Sequence, residues 1–358
     1  MSNKKSKEKK QVDERYHNGK LRLEYCDFVV DKEIKEEFLN SVVVESTREQ
    51  CKILLLKLDY FENKVDKKAY NFSADDVQNF ISTGVCYSSV KAMSTAISRI
   101  SKYVDHCVEK NLGMINNFKL FKFEKSDLLN FSVIQNRYIS EKQLHEYVDT
   151  LYNVSDKLIL ELFFLGMTYE EAKNLKKNDV KFHKAEIHVQ SSPGEKRIIK
   201  NIPKRILNLL SDNETTTEYI ANNNQKIVTG SGERKPRKGK LAKTSYVFSQ
   251  CAKREMPDEP VVHMFFSKRI AAIQKVVANL DITPSSIRTS GIINEVEKRK
   301  KEQGVKELSL EDCIQIYTMF NYVNHAENDQ ELKRKAKRFI WNIEKTIKET
   351  EKAKEYTE

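Results

Sequence analysis

Apolar positions recur three and four residues apart along most of the chain and alternate in only one short stretch. Cys51, Leu54, Leu55 and Leu58 predict a helix over 47–63, and Ser73-Ala-Asp-Asp76 caps another that runs through Val77, Phe80 and Ile81. After Ser88 and Ser89, one helix face carries Val90, Met93, Ile97, Ile100, Val104 and Cys107. Ser140, with Gln143 three residues on, opens a further helix as a capping box. An apolar helix from Leu158 to Leu165 stops at Gly166, a residue that tolerates a left-handed helix end. Thr168-Tyr-Glu-Glu171 opens the next helix, again as a capping box. Ile187 and Val189 then alternate with His188 and Gln190; Ser191-Ser-Pro-Gly194 turns, and Lys196-Arg-Ile-Ile199 returns as the partner strand. Pro203 starts an amphipathic helix with Ile206, Leu207, Leu209 and Leu210 inward. Helical spacing resumes from Phe265 to Leu280 and again in the lysine- and glutamate-rich end, where Phe339, Ile340, Ile343 and Ile347 form a stripe. The pattern predicts a mainly α fold with a small β-sheet.

Composition divides the chain into a basic polar N-terminal tail (1–31), a helical domain (32–125) and a larger domain (126–358). Within the last, residues 211–245 lose all periodicity and fill with Gly, Asn and Lys, which reads as a mobile basic insertion. Residues 326–358 form the C-terminal helix. A net charge of +11 points to a polyanionic partner, most simply nucleic acid. Six cysteines lie far apart without a Cys-x-x-Cys pair, as expected of free thiols in a reducing cytoplasm. His183 and His188 lack acidic or cysteine neighbours, so no metal site is expected, and no glycine-rich loop offers to cradle a phosphate-bearing cofactor. The basic N-terminus leads into no apolar stretch and no run of about eighteen apolar residues occurs, so neither a secretory signal nor a membrane span is expected.

The order of helix, glycine, capped helix, basic hairpin and Pro-initiated helix resembles the catalytic domain of tyrosine recombinases, the phage integrases. There the stretch reads roughly Thr-Gly-Leu-Arg-x-Ser-Glu-Leu, then a β-hairpin and a Pro; here Gly166, Glu171, Leu175, Asp179, Arg197 and Pro203 fit. The segment from Phe72 to Ile81, with Ser89 to Tyr103, resembles the core-binding domain that precedes it. The resemblance implies a two-domain DNA clamp. It sets Ser88, Ser89, Lys91, Arg99 and Lys102 near phosphates, although the three cations also fit an ordinary solvated helix face. Lys196, Arg197, Lys204 and Arg205 are the matching expectation around the hairpin. Arg234, Lys235, Arg237, Lys238, Lys240 and Lys243 of the insertion are expected to meet phosphates by counterion release, the alternative being a loop extended by self-repulsion.

The family cleaves DNA with a tyrosine hydroxyl and stabilises the transition state with two Arg, a hairpin Lys and two His or equivalents. The first Arg position is Thr168, the hairpin turn offers Ser191 and Ser192 with Lys196 nearby, and the His of His-x-x-Arg is Ser285. Arg288 is kept, while the Leu-Gly-His segment reads Tyr317-Thr-Met-Phe320. Tyr317 and Tyr322 stand as nucleophiles by position. Each lost charge donor costs roughly 3–4 kcal/mol of transition-state stabilisation, so several losses leave little cleavage. Arg288 then reads as a phosphate contact or as a salt-bridge partner of Glu295. Degenerate chains of this kind resemble the phage lytic-cycle repressors of the SPβ group (the MrpR/YopR type). The resemblance implies a repressor that binds double-stranded DNA in a bacterial cytoplasm. Alternatives are an active integrase using Tyr317 or Tyr322 and an accessory nucleic-acid-binding protein. It also allows self-association through the C-terminal helix.

Overall fold

A computed structural model describes residues 16–17, 20–21, 27–84, 90–120, 136–192, 195–229, 232–252, 256–262, 264–277, 280–320 and 328–355. Contacts divide the chain into residues 1–134 and 135–358; the boundary expected at 125–126 falls in 121–135, outside the described residues.

The first unit holds a two-residue antiparallel pair, β1 (Tyr16–His17) and β2 (Lys20–Leu21), and then helices α1 (Lys32–Ser41), α2 (Glu45–Val65), α3 (Ala74–Asn79), α4 (Val90–Glu109) and α5 (Asn117–Leu120). Ser73 caps α3 as expected: its hydroxyl accepts from the Asp76 N–H at 3.2 Å, and the Asp76 carboxylate accepts from the Ser73 N–H at 2.9 Å. Leu54, Leu55, Leu58 and Phe61 of α2 are buried, as are Met93, Ile100, Val104 and Cys107 of α4, and the two helices pack together. Lys35 is also wholly buried. Its ammonium donates to Asp59 at 2.9 Å, to Glu62 at 2.5 Å and to the Val30 carbonyl at 2.9 Å. Asp59 also accepts from the Val29 and Val30 N–H groups, tying residues expected to belong to the tail onto α2. Burial pushes the Glu62 carboxyl above its usual range against the pull of Lys35.

The second unit is built on α7 (Val154–Phe164), which is apolar nearly all round; Leu158, Ile159, Leu160, Leu162 and Phe163 are all buried. A helix of that character belongs inside. α6 (Glu141–Thr150), α9 (Lys204–Thr215), α10 (Phe265–Val276) and α11 (Pro284–Gln303) pack on it. α8 (Tyr169–Asn174) leads into an antiparallel sheet of order β3 (Val180–Lys181), β4 (Glu186–Ser192), β5 (Glu195–Ile199). Ile187 faces Ile199 across it, and both are buried. β4 runs through Ser192, past the turn start expected at Ser191, with an irregularity in register between Gln190 and Ser192. A second apolar cluster joins Ile292 and Val296 of α11 to Cys313, Ile316 and Tyr317 of α12 (Leu310–Met319) and to Ala336, Ile340 and Ile343 of α13 (Asp329–Glu355). The terminal helix thus lays its stripe on its own unit.

The insertion departs from expectation. Its described residues hold two antiparallel pairs: β6 (Glu218–Ile220) with β9 (Lys238–Lys240), and β7 (Ile227–Thr229) with β8 (Gly232–Arg234). Strand pairing uses backbone groups, so Lys-Gly-Lys pairs as well as an alternating apolar strand and leaves no period for the eye. The class is otherwise as expected: mainly helical, with small antiparallel sheets. Among the described residues, no helix is long and apolar enough to cross a membrane, and no His, Cys, Asp and Glu group could hold a metal ion.

Replacing Lys35 by Met should strand Asp59 and Glu62 inside the first unit and cost about 3–5 kcal/mol, read as a lower urea midpoint for that unit's unfolding. An unchanged midpoint would show that the ammonium carries no such weight.

Candidate functional site

The second unit brings together the end of α7, the start of α8, β5, α11 and the end of α12. Gly166 follows α7 with φ +102°, and a Cβ there would lie 2.5 Å from the Phe320 ring. Gly291 of α11 lets that helix approach the Phe164 carbonyl so closely that a Cβ would lie 1.8 Å from its oxygen. Only glycine fits either position. The close approach aims the Gly166 carbonyl at two guanidinium groups: Arg197 Nη2 donates to it at 3.1 Å and Arg288 Nε at 3.0 Å. Arg197 Nη1 also donates to the Met319 carbonyl at 2.7 Å, and Arg288 Nη2 to that of Phe320. The end of α12 is therefore held by the two arginines.

Arg197 has a carboxylate as well. Its Nε and Nη2 donate to the two oxygens of Glu171 at 2.7 and 2.8 Å, and Glu171 is wholly buried. Thr168 completes the arrangement as N-cap of α8: its hydroxyl accepts from the Glu171 N–H at 3.2 Å, and its own N–H donates to Glu171 at 2.7 Å. Burial alone would raise the Glu171 carboxyl, but Arg197 and the Thr168 donors outweigh it and hold the group below its usual range. The sequence shows Glu171 as a cap partner; nothing in it shows that the same side chain faces the hairpin.

The model of the MrpR C-terminal catalytic domain matches residues 138–350, and that of the MrpR N-terminal core-binding domain matches 29–109. The chain belongs to the MrpR family. No curated protein sequence matches it. Among solved structures it is similar to lambda integrase (residues 75–356) bound to DNA, with a TM-score of 0.44 and 9% identity over 84% of this chain and 94% of that one. It is also similar to XerA recombinase, with a TM-score of 0.34 and 16% identity over 86% and 98%. A third is the Tn1549 transposon integrase with circular intermediate DNA, with a TM-score of 0.41 and 10% identity over 84% and 92%.

In this MrpR-family chain the remaining expected residues are placed as follows. Arg197 and Arg288, both expected at phosphates, are engaged as described, and Glu295 pairs with Arg299 at 2.7 Å instead of Arg288. Arg205 forms an ion pair with the buried Glu161 at 2.7 Å and reaches Asp149 at 3.4 Å. Lys196, Lys204 and Ser285 are exposed, as are Arg234, Lys235, Arg237, Lys238 and Lys240. In the first unit, half-buried Arg99 and exposed Lys102 line one cleft with Ser94, Ser98 and Cys51. Tyr317 is 5% exposed, its ring edge-on to Phe339 with centroids 5.4 Å apart. Ser88, Ser89 and Tyr322 lie outside the described residues, as do the side chains of Lys91, Ser191 and Ser192.

Arg197→Met removes the counter-charge of a buried carboxylate and should destabilise the second unit by about 3–5 kcal/mol at neutral pH. The depressed Glu171 pKa gives the sign. Its stabilisation is present above the unfolded carboxylate value and fades as pH falls through the folded one. In the variant the unpaired carboxyl instead resists ionisation, so the gap between the two proteins should narrow on acidification. Denaturant titrations at neutral and mildly acidic pH check this; a gap that widens toward acid contradicts it.

Proposed function

We propose that this MrpR-family chain is a sequence-specific double-stranded-DNA-binding repressor of a phage or prophage that has lost strand cleavage. The observation that carries the reading is the inward commitment of Arg197 and Arg288. A phosphoryl-transfer centre needs cations aimed at non-bridging oxygens as charge develops there. In this chain both guanidinium groups donate to backbone carbonyls at the end of α12 and after α7, and one is also neutralised by Glu171. Thr168, at the position matched to a catalytic Arg, has its hydroxyl engaged as a helix cap. Tyr317 is packed in an apolar cluster, where a phenol serves as core. Losing one charge donor already costs about 100- to 1,000-fold in rate, and here several positions are altered together.

Duplex binding survives such losses, because it draws on distributed charge. The net charge of +11 and the match to a core-binding domain model support this partner. Occupancy of an operator in the cytoplasm of a lysogenic host is then the activity, with base contacts supplying specificity and phosphates much of the affinity. No cofactor is required for it.

Incubation with a nicked suicide duplex, followed by denaturing electrophoresis, should show no covalent protein–DNA adduct. Gel shifts should show duplex binding that weakens steeply with salt. An adduct abolished by Tyr317→Phe or Tyr322→Phe would establish an active recombinase instead. Preference for RNA over duplex would favour an accessory nucleic-acid-binding role.

A further inference from the structure

The insertion between α9 and residue 245 carries seven Lys and Arg against two Glu between residues 216 and 244. Its root is fastened to the body of the second unit at four places. Asn153, just before α7, pairs with Ile220 as a strand would: its Nδ2 donates to the Ile220 carbonyl at 2.8 Å, and its Oδ1 accepts from the Ile220 N–H at 2.9 Å. Asn223 repeats the device, accepting from the Tyr152 N–H at 2.5 Å and donating to the Thr150 carbonyl at 2.9 Å. Arg269 of α10, nearly buried, lays its guanidinium 3.2 Å from the centroid of the Tyr219 ring, with Asp156 at 3.9 Å. On the other strand, the Lys240 carbonyl accepts from the Ala252 N–H at 3.0 Å, and Gly239 runs so close to Cys251 that a Cβ would lie 2.6 Å from its sulfur.

This root is costly for a passive loop. Burying Asp156 beside Arg269 desolvates both charges; burial raises the Asp156 carboxyl, and such pairs contribute little net stability. Asn222, Asn223 and Asn224 all adopt left-handed backbone, φ 55°, 50° and 60°. Those conformations are disfavoured even where asparagine tolerates them. A solvated polar loop gains nothing from being aimed, whereas a cationic ribbon does, because a fixed orientation removes ordering cost at the moment of binding.

We infer that the strands within residues 218–229 and 232–240 form a preorganised basic β-ribbon that grips the sugar-phosphate backbone of a DNA duplex, and that Asn153, Asn223, Tyr219 and Arg269 are the positioning residues that aim it. The inference rests on the duplex-binding reading above and adds to it a distinct contact element. Lys238 and Lys240 lie on the same side of β9, about 6.8 Å apart by strand rise, a spacing of the order of that between successive phosphates on one strand. Lys235 and Arg237, exposed just before β9, extend the charged edge. Ribbons of two strands are a known geometry for groove binding, and phosphate contacts set their register.

The test uses the full chain and a generic 40-base-pair duplex, with affinity measured over a range of KCl concentrations. A combined Lys235→Ala, Arg237→Ala, Lys240→Ala variant should flatten the log K against log salt slope by about 2.7, the share of three phosphate contacts. Asn223→Ala keeps every cation; it should bind several-fold more weakly and lose hydroxyl-radical protection at one edge of the footprint. Tyr219→Leu is a second variant of the same kind, and circular dichroism establishes that each is folded. Wild-type slope in the triple variant, with the parent still binding duplex, overturns the ribbon and leaves the repressor reading standing. If the parent ignores duplex, the repressor reading itself fails. Unchanged affinity and footprint in both folded root variants would show that the root does not aim the ribbon.

Discussion

A single backbone oxygen, that of Gly166, is the point on which the second unit depends. Helices end with unsatisfied carbonyls that must find donors. Here the carbonyl just past α7 receives two guanidinium groups, from β5 and from α11, and the same two groups hold the last carbonyls of α12. Hydrogen bonds from charged donors are worth about 1.5–3 kcal/mol each, so this cluster is a strong tie between four elements. It requires glycine at 166, for the left-handed turn and the space taken by Phe320, and glycine at 291, where α11 meets α7.

The tie and phosphoryl-transfer chemistry compete for the same charges. A guanidinium bound to a carboxylate and two carbonyls presents little positive potential to a phosphate, and freeing it would leave Glu171 buried and unpaired. That penalty is of the same order as the transition-state stabilisation a single charge donor supplies. Thr168 fits this balance. An arginine at the N-cap would forfeit the hydroxyl that satisfies the Glu171 N–H, and would set a further cation beside a carboxylate already paired. The structural role of the site is thus self-consistent without any reaction.

Local signals were legible where they act within a few residues. The capping boxes at Ser73, Ser140 and Thr168 form as read, because both partners lie on one turn. Gly166 was legible as a helix stop, and the apolar stripes place the cores. What stayed hidden depends on contacts between distant segments. Arg197 reads as a basic hairpin residue, and only the fold shows Glu171 across from it, 26 positions away in sequence. Lys35 sits in a charged stretch that looks solvated, yet Asp59 and Glu62 draw it inside. The insertion defeated periodicity because its strands are only three residues long and two of them bury little: every residue of β8 is exposed, and β9 is a Lys-Gly-Lys pairing through its backbone.

The placement of charge separates the two ends of the second unit. Around Gly166 the arginines turn inward and are spent on backbone and carboxylate oxygens. In the insertion Lys235, Lys238 and Lys240 are exposed, while a buried guanidinium at its root, that of Arg269, stacks on Tyr219. Electrostatic attraction to a polyanion sums over many exposed cations and tolerates the loss of any one, whereas catalysis depends on a few groups held at fixed distances. In the repressor proposed above, internalising the few and displaying the many would keep affinity for a duplex while giving up the means to cut it. That division follows from where the charges sit, with two arginines turned inward at Gly166 and a basic edge exposed in the insertion.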